Sequence, residues 1–162
     1  MDVRYINPFL AAAVHVLRTM AGIEATPGKP FVKGGTRALG DVSAIIGITG
    51  AAEGSMALTF SESCIKAVVK NLFQAPVHEI DDEVKDAVGE LTNIICGDAR
   101  KRLREEGLSS LKAGIPTIVT GKDHSIKHIN NGPHLAVPFE TEHGVFVVEV
   151  AFNKEKSRSK QY

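Results

Sequence analysis

Residues 82–104, DEVKDAVGELTNIICGDARKRLR, decide the fold because they carry a long helical pattern. Apolar residues recur there at the spacing of a single helix face: Val84, Val88, Leu91 and Ile95. Asp81 or Asp82 can cap the start of this helix, and Gly107 can end it. The first turn is acidic and the last turn is basic, which complements the helix macrodipole. The pattern predicts a helix that packs against the domain by one face.

The opposite side of this predicted helix carries polar and small residues: Asp86, Glu90, Asn93, Gly97 and Arg100. Glu90 and Asn93 are three residues apart and are therefore neighbours on a helix surface. Asn is a poor residue for the middle of a helix, and Gly97 should cost about 1 kcal/mol relative to Ala. A surface that accepts both costs indicates close contact with another molecule. A bare Glu-x-x-Asn is frequent by chance, however, and a solvated helix face is the alternative.

The chain on either side of this helix predicts an α+β domain. Upstream, residues 9–20 form an apolar helix that Asn7 can cap, with Pro8 in the first helical position and Gly22 after the last turn. Ser61 can cap a second helix that runs to Phe73. Strand patterns are found at residues 31–33, 41–49, 55–60, 116–121, 135–140 and 144–152. Helix plus hairpin therefore occurs twice, at 8–60 and 82–152, which predicts a pseudo-repeated two-layer sandwich with helices on a mainly antiparallel sheet.

Composition limits the classes of function. The 162 residues suit one domain, predicted at 1–152, followed by a polar tail at 153–162 that we expect to be disordered. Lys and Arg total 19 and balance 19 Asp and Glu, and the chain has no Trp, which argues against nucleic acid as a partner. The apolar run at residues 9–14 is too short to span a bilayer. We therefore expect a cytoplasmic protein with neither membrane nor nucleic acid as a partner.

Other candidate sites have simpler interpretations. Cys64 and Cys96 lack ligand or redox spacing and are predicted to be buried small hydrophobes. His124 and His128 could bind a metal if they were helical, but no third ligand is evident and we expect solvated side chains. The basic run at residues 100–104 could dock an acidic surface, although complementing the helix dipole is the safer interpretation. Composition and spacing alone therefore assign no metal site.

Four segments of the chain resemble the CheX/CheC/FliY family of chemotaxis phosphatases, and most closely CheX. They follow one another in the family's order at residues 5–9 (YINPF), 47–50 (GITG), 86–97 (DAVGELTNIICG) and 116–121 (PTIVTG). CheX members carry one Glu-x-x-Asn motif where CheC usually carries two. The first helix here has only alanines and a valine, at residues 11–14, where a second motif would lie. A single active face is therefore expected.

The resemblance implies hydrolysis of the aspartyl phosphate on a CheY-type response regulator. By position in the motif, Asn93 would orient the attacking water and Glu90 would pair with a lysine of the regulator. Asp86, Gly97 and Arg100 are added from the helical wheel as docking contacts. The resemblance also implies that the magnesium of the reaction is held by the regulator, that this chain carries no metal or other cofactor, and that the chain forms a homodimer through its sheet.

Two other functions stay open at this point. A catalytically silent module of the same fold could capture response regulators or flagellar-switch components, but such a protein would be expected to have lost the amide, and Asn93 is present. A small-molecule-binding dimer has no sequence feature in its support. The sequence therefore favours the enzyme.

Overall fold

Three helices lie against one face of an eight-stranded antiparallel sheet in the computed structural model, which describes residues 3–108, 110–128 and 134–153. The helices are α1 (Val3–Ala21), α2 (Glu62–Phe73) and α3 (Asp82–Glu105). The strands are β1 (Thr26–Pro27), β2 (Phe31–Lys33), β3 (Val42–Gly50), β4 (Gly54–Phe60), β5 (Leu111–Ala113), β6 (Thr117–Thr120), β7 (His134–Thr141) and β8 (Gly144–Phe152). The predicted two-layer α+β class is confirmed.

The strand order explains why helix plus hairpin occurs twice along the chain. The order is β1-β7-β8-β4-β3-β5, with β2 also paired to β7 and β6 also paired to β3. The β3–β4 hairpin and the β7–β8 hairpin meet where β4 pairs with β8, from Gly54 opposite Phe152 to Phe60 opposite Phe146. Two similar units thus form one continuous sheet.

The main core lies between the helices and the sheet. Alternate residues point into it and are buried over 42–48 of β3, 56–60 of β4 and 146–150 of β8, as strand geometry requires. The largest fully buried side chains include four aromatic rings: Phe9, Phe60, Phe139 and Phe146. Phe139 stacks on Phe146 with ring centroids 4.9 Å apart. The apolar face of α3 is part of this core, which fixes the helix against the rest of the domain.

A loop crosses the outer face of the sheet, by which we mean the face opposite the helices. Residues 122–128, here named the crossing segment, run beside residues 36–38 and are held by two backbone hydrogen bonds. The N–H of Ala38 donates to the carbonyl of His124 at 2.9 Å, and the N–H of Ile126 donates to the carbonyl of Thr36 at 2.7 Å. Ile126 is buried against Ala57 in a small second core. Part of the outer face is therefore covered.

The start of α1 corrects one sequence prediction. Asn7 does not cap this helix and Pro8 is not its first residue, because the helix begins at Val3 and includes both. Tyr5 and Ile6 are buried, and the Tyr5 ring lies 5.9 Å from that of Phe152, so tertiary packing stabilises the extra turn despite the proline. The predicted end is confirmed, since Gly22 has φ +64° and its N–H donates to the carbonyl of Arg18.

The short strands β1 and β5 were not predicted, because their two and three residues carry too little alternation to be recognised. The six predicted strands are confirmed, as are the N-caps predicted for α2 and α3. Residues 154–162 lie outside the described residues, so the disorder expected of the tail stays a prediction.

Candidate active site

Helix α3 presents the candidate site on a fixed scaffold. Asp81 is its N-cap, and its carboxylate accepts the N–H of Val84 at 3.0 Å. The predicted apolar stripe is buried: Val84, Val88, Leu91 and Ile95 are at most 2% exposed. After the C-cap Glu106, Gly107 has φ +77°, a conformation that suits glycine. Both ends and one face of α3 are thus held, which leaves the opposite face for contact with other molecules.

The five predicted site residues divide into two groups by exposure. Asp86, Glu90 and Asn93 are exposed, whereas Gly97 and Arg100 are half-buried. Within the described part of the chain, the side chains of Glu90 and Asn93 form no hydrogen bond and no ion pair. Both side chains are exposed on the outward side of α3. The structure therefore leaves the carboxylate and the carboxamide available to a second molecule.

Arg100 differs from the other predicted docking residues because it contacts the chain itself. Its Nη1 donates to the carbonyl of Leu111 on β5 at 3.4 Å. Its Nε is buried and has no hydrogen-bond partner among the described residues. The guanidinium thus ties α3 to the edge of the sheet, while its role toward a partner stays a prediction.

Two glycines of α3 are set in different surroundings. A Cβ built on Gly89 would lie 3.7 Å from Cδ1 of Ile118 and 4.0 Å from Cγ of Pro116, so the helix approaches β6 closely there. A Cβ built on Gly97 would meet nothing within 4 Å. Packing within the described chain therefore does not require a glycine at position 97. This supports the prediction that the residue leaves space for another molecule.

The outer face carries a second polar assembly, which the sequence prediction missed. We name Lys33, Ser55, His128, His134 and Glu149 the outer polar cluster. Glu149 is fully buried, and its Oε1 lies 2.9 Å from Nζ of Lys33, which is 7% exposed. The available signal was a glutamate inside the apolar run of residues 145–152. Because a buried charge needs a partner, that position predicts a buried ion pair.

The histidines correct another prediction, because His124 and His128 are buried rather than solvated. Nε2 of His124 lies 2.7 Å from Oγ of Ser43, and Nδ1 of His128 lies 2.6 Å from Oγ of Ser55. The rings of His128 and His134 are in contact, with centroids 3.9 Å apart and planes tilted by 33°. The crossing segment buries these side chains on the sheet, a long-range contact that local spacing does not reveal.

Burial and charge shift the pKa values of the outer polar cluster. Burial lowers the pKa of His134, and the neighbouring His128 and Lys33 lower it further. Burial alone raises the pKa of Glu149, but the interactions with His128 and Lys33 outweigh it and hold the pKa below its usual value. Nε2 of His128 is 3.8 Å from the Glu149 carboxylate, beyond hydrogen-bond distance, so Lys33 is the close partner. At neutral pH these shifts favour the ionised form of Glu149 and the neutral form of His134.

The cysteines and the metal question add no further chemistry to the site. Cys64 and Cys96 are buried, as predicted. Burial raises the pKa of the Cys64 thiol to about 11 and also raises the pKa of the Cys96 thiol, so neither is a ready nucleophile. Among the described residues, no group of three or more His, Cys, Asp or Glu side chains is placed to hold a metal ion. No helix in these residues is long and apolar enough to cross a membrane.

Comparisons with known proteins agree with this architecture. Residues 42–140 match the family model described as chemotaxis phosphatase CheX. A protein of Thermotoga maritima named CheY-P phosphatase CheX is 31% identical over 128 residues, which cover 78% of this chain and 82% of that protein.

Solved structures show the same fold. A chemotaxis protein CheX from Desulfovibrio desulfuricans is 44% identical with a TM-score of 0.83, covering 92% of this chain and 99% of that one. The structure of a CheX-CheY-BeF3-Mg complex from Borrelia burgdorferi matches with 30% identity and a TM-score of 0.77, covering 93% of this chain and 98% of that one. The sheet-and-helix arrangement is therefore that of CheX proteins.

Proposed function

The chain belongs to the CheX family of chemotaxis phosphatases, and on that premise we propose that it accelerates hydrolysis of the aspartyl phosphate on a CheY-type response regulator. The observation that carries the proposal is the outward-facing pair on α3. Glu90 and Asn93 are exposed on α3, and their side chains form no hydrogen bond or ion pair within the described chain. Such a pair is half of a site that a second protein completes. The Borrelia burgdorferi complex supports a receiver of the CheY type as that protein.

Asn93 is the proposed catalytic residue. An amide is neutral and cannot act as a general base, but its oxygen can accept a hydrogen bond from water while its NH2 donates to a neighbouring oxygen. Phosphoryl transfer is accelerated mainly by positioning and electrostatic stabilisation, so a water held in line with the phosphorus is sufficient. The magnesium ion of this reaction belongs to the regulator, where it stabilises charge on the phosphoryl oxygens. No metal on this chain takes part in the proposed step.

Glu90 is proposed to anchor the regulator. Its carboxylate is exposed and has no cation of the described chain beside it, so it can pair with a lysine at the regulator's active site. Asp86, Gly97 and Arg100 are proposed docking contacts. Gly97 leaves open space, whereas Arg100 already donates to the carbonyl of Leu111 and is the least available of the three. Anchoring brings the phosphoryl group to Asn93.

A phosphate-release assay tests the proposal. A cognate receiver is phosphorylated with a small phosphodonor, and release is measured with the full chain and with Asn93→Ala. We expect the wild-type chain to accelerate release and Asn93→Ala to lose about 100-fold or more of that acceleration. Because Asn93 is exposed and alanine is the better helix former, the variant should be at least as stable as the wild type. Full activity in Asn93→Ala would refute the role of the amide.

The alternative is a silent binding module of the same fold, and the same assay separates it from the enzyme. A silent module would bind the trapped receiver without accelerating phosphate release. The intact Glu90 and Asn93 favour the enzyme. Absence of acceleration by a wild-type chain that binds the receiver would establish the silent module instead.

We also propose a cytoplasmic homodimer that assembles through the sheet. Support comes from strand β2, which pairs with β7 and exposes Val32 by 70% and Phe31 by 41%. An exposed apolar edge strand is a ready pairing surface. Sedimentation velocity should give a dimer for the wild type and a monomer for Val32→Lys. A monomeric wild-type chain at micromolar concentration would overturn the dimer proposal.

A further inference from the structure

A small depression lies at the junction of α2 and α3, away from Asn93. Its volume is about 180 Å³. Buried Val69 and Val84 form an apolar bottom, and His78, Glu79, Asp81 and Glu83 are exposed at its rim. Phe73 is 50% exposed, although burial of an aromatic ring is favourable. Pockets for drug-sized ligands have about 300–1,000 Å³, so this one suits a single side chain rather than a small molecule.

An acidic strip connects the depression to the candidate active site. At about 100° per residue, side chains 83, 86 and 90 lie within about 60° of one another on α3. They are all carboxylates, and Lys85 is the one basic residue in the sequence from 79 to 93. Lys85 already lies 3.7 Å from the carboxylate of Asp82. Glu83, Asp86 and Glu90 are exposed and form no ion pair among the described residues, so the strip presents carboxylates from the depression to Glu90.

We propose that this depression is a second docking site for the same receiver domain, which inserts an apolar side chain flanked by a basic one. The inference rests on the proposed function, because a receiver that binds at Asn93 would extend over the same surface to the depression. Residue 83 is about 15 Å from residue 93 along the helix axis, and a standard interface of about 800 Å² per partner spans that distance. The apolar bottom selects the inserted side chain, and the strip of Glu83, Asp86 and Glu90 attracts the flanking cation.

Two substitutions test this docking site. In Phe73→Ser the apolar contact is lost, and in Glu83→Lys the rim charge is reversed. In the phosphate-release assay with the full chain, each should raise KM about tenfold while kcat stays within about twofold. Glu142→Lys is the matched control, because it reverses an exposed charge in the β7–β8 turn, near the opposite end of α2. An unchanged KM in both test variants would overturn the docking site.

A labelling experiment checks occupancy with a small substitution that leaves Phe73 and Glu83 unchanged. Ala75→Cys places an exposed thiol at the depression, while the native Cys64 and Cys96 are buried and should react slowly with maleimide. A saturating receiver trapped with BeF3 and magnesium should slow labelling at position 75 at least about tenfold and leave Glu142→Cys unaffected. Equal labelling with and without receiver would contradict the proposal.

The two proposals fail in different ways. Suppose that the wild-type chain accelerates phosphate release, that Phe73→Ser and Glu83→Lys keep the wild-type KM, and that the receiver does not slow labelling of Ala75→Cys. The docking site is then wrong and the proposed function stands. If the trapped receiver protects position 75 but the wild-type chain does not accelerate phosphate release, the docking site stands and the catalytic proposal is wrong. If the receiver neither binds nor reacts, both proposals are overturned.

Discussion

Glu90 lies on the helix side of the sheet, where its side chain is exposed and forms no hydrogen bond or ion pair in the described chain. Glu149 lies on the outer face, where it is fully buried with its Oε1 2.9 Å from Nζ of Lys33. Both are glutamates within regular structure, yet their surroundings are opposite. Water solvates the first carboxylate until a partner arrives. The second has exchanged water for a lysine of its own chain.

The difference concerns where each residue's partner comes from. Burying a charge is unfavourable unless another group compensates it, so Glu149 serves the fold and fixes strands β2 and β8 together. An exposed carboxylate contributes little to stability and is available for binding. An exposed polar pair with no partner in the described chain is therefore the better candidate for binding a second protein than a buried cluster whose lysine and glutamate pair with each other.

The largest effect on stability is expected at Glu149. Glu149→Ala leaves the Lys33 ammonium buried without its partner and should lower the free energy of unfolding by about 3–5 kcal/mol. Urea denaturation measures this change. The double variant Lys33→Met with Glu149→Leu removes both charges and should recover most of the loss. A loss below about 1 kcal/mol in Glu149→Ala would show that the pair is not truly buried.

Glu90→Lys should give the opposite phenotype, with stability unchanged and docking weakened. Reversing the charge should raise KM about tenfold, which corresponds to about 1.4 kcal/mol of binding free energy. The effect should shrink as salt is raised from low to high concentration, because exposed charges are screened. Glu142→Lys serves as the control for a general charge effect. A KM that does not change would remove Glu90 from the interface.

Gly97→Ala should stabilise the chain while impairing its function. Alanine in the helix gains about 1 kcal/mol, and the new Cβ meets nothing within the described chain. If a partner approaches this surface closely, KM should rise severalfold. Gly89→Ala is the matched control, since its Cβ would face β6 at ordinary contact distances. Equal KM values for the two variants would contradict close approach at position 97.

The smallest expected effect is the pH dependence of stability that His134 contributes in the outer polar cluster. Burial lowers the pKa of His134 from 6.5, so the unfolded chain binds this proton more readily than the folded one. The stability contributed by neutral His134 is present above pH 6.5 and is lost as the pH falls below it. His134→Phe keeps a ring against His128 and should flatten the stability curve below pH 6.5. An unchanged curve would exclude His134 as its source.

Much of the fold could be predicted from local patterns. The apolar stripe of α3, the caps Ser61 and Asp81 and the hairpin of β3 and β4 are all short-range signals, and they are confirmed. The predicted start of α1 was wrong because burial of Tyr5 and Ile6 overrides the preference of Pro8 for the first turn of a helix. Tertiary packing decides such boundaries, and single-sequence patterns do not contain it.

The two polar assemblies also differ in how far the sequence predicts them. Glu90 and Asn93 lie on one helix, so their neighbourhood follows from helical geometry and could be predicted. Lys33, His128 and Glu149 come together from residues more than twenty positions apart, and only the sheet register and the crossing segment join them. The catalytic roles of Glu90 and Asn93 stay predictions that the fold alone does not test.

The central claim is that the exposed amide of Asn93 acts on a phosphoryl group held by another protein. Two measurements together test it most directly. One is the single-turnover rate of receiver dephosphorylation at a saturating concentration of this protein, and the other is its Kd for the BeF3-trapped receiver. Asn93→Ala should lower the single-turnover rate about 100-fold or more while leaving the Kd within about threefold of the wild type. A wild-type rate in Asn93→Ala, with receiver binding intact, would contradict the account.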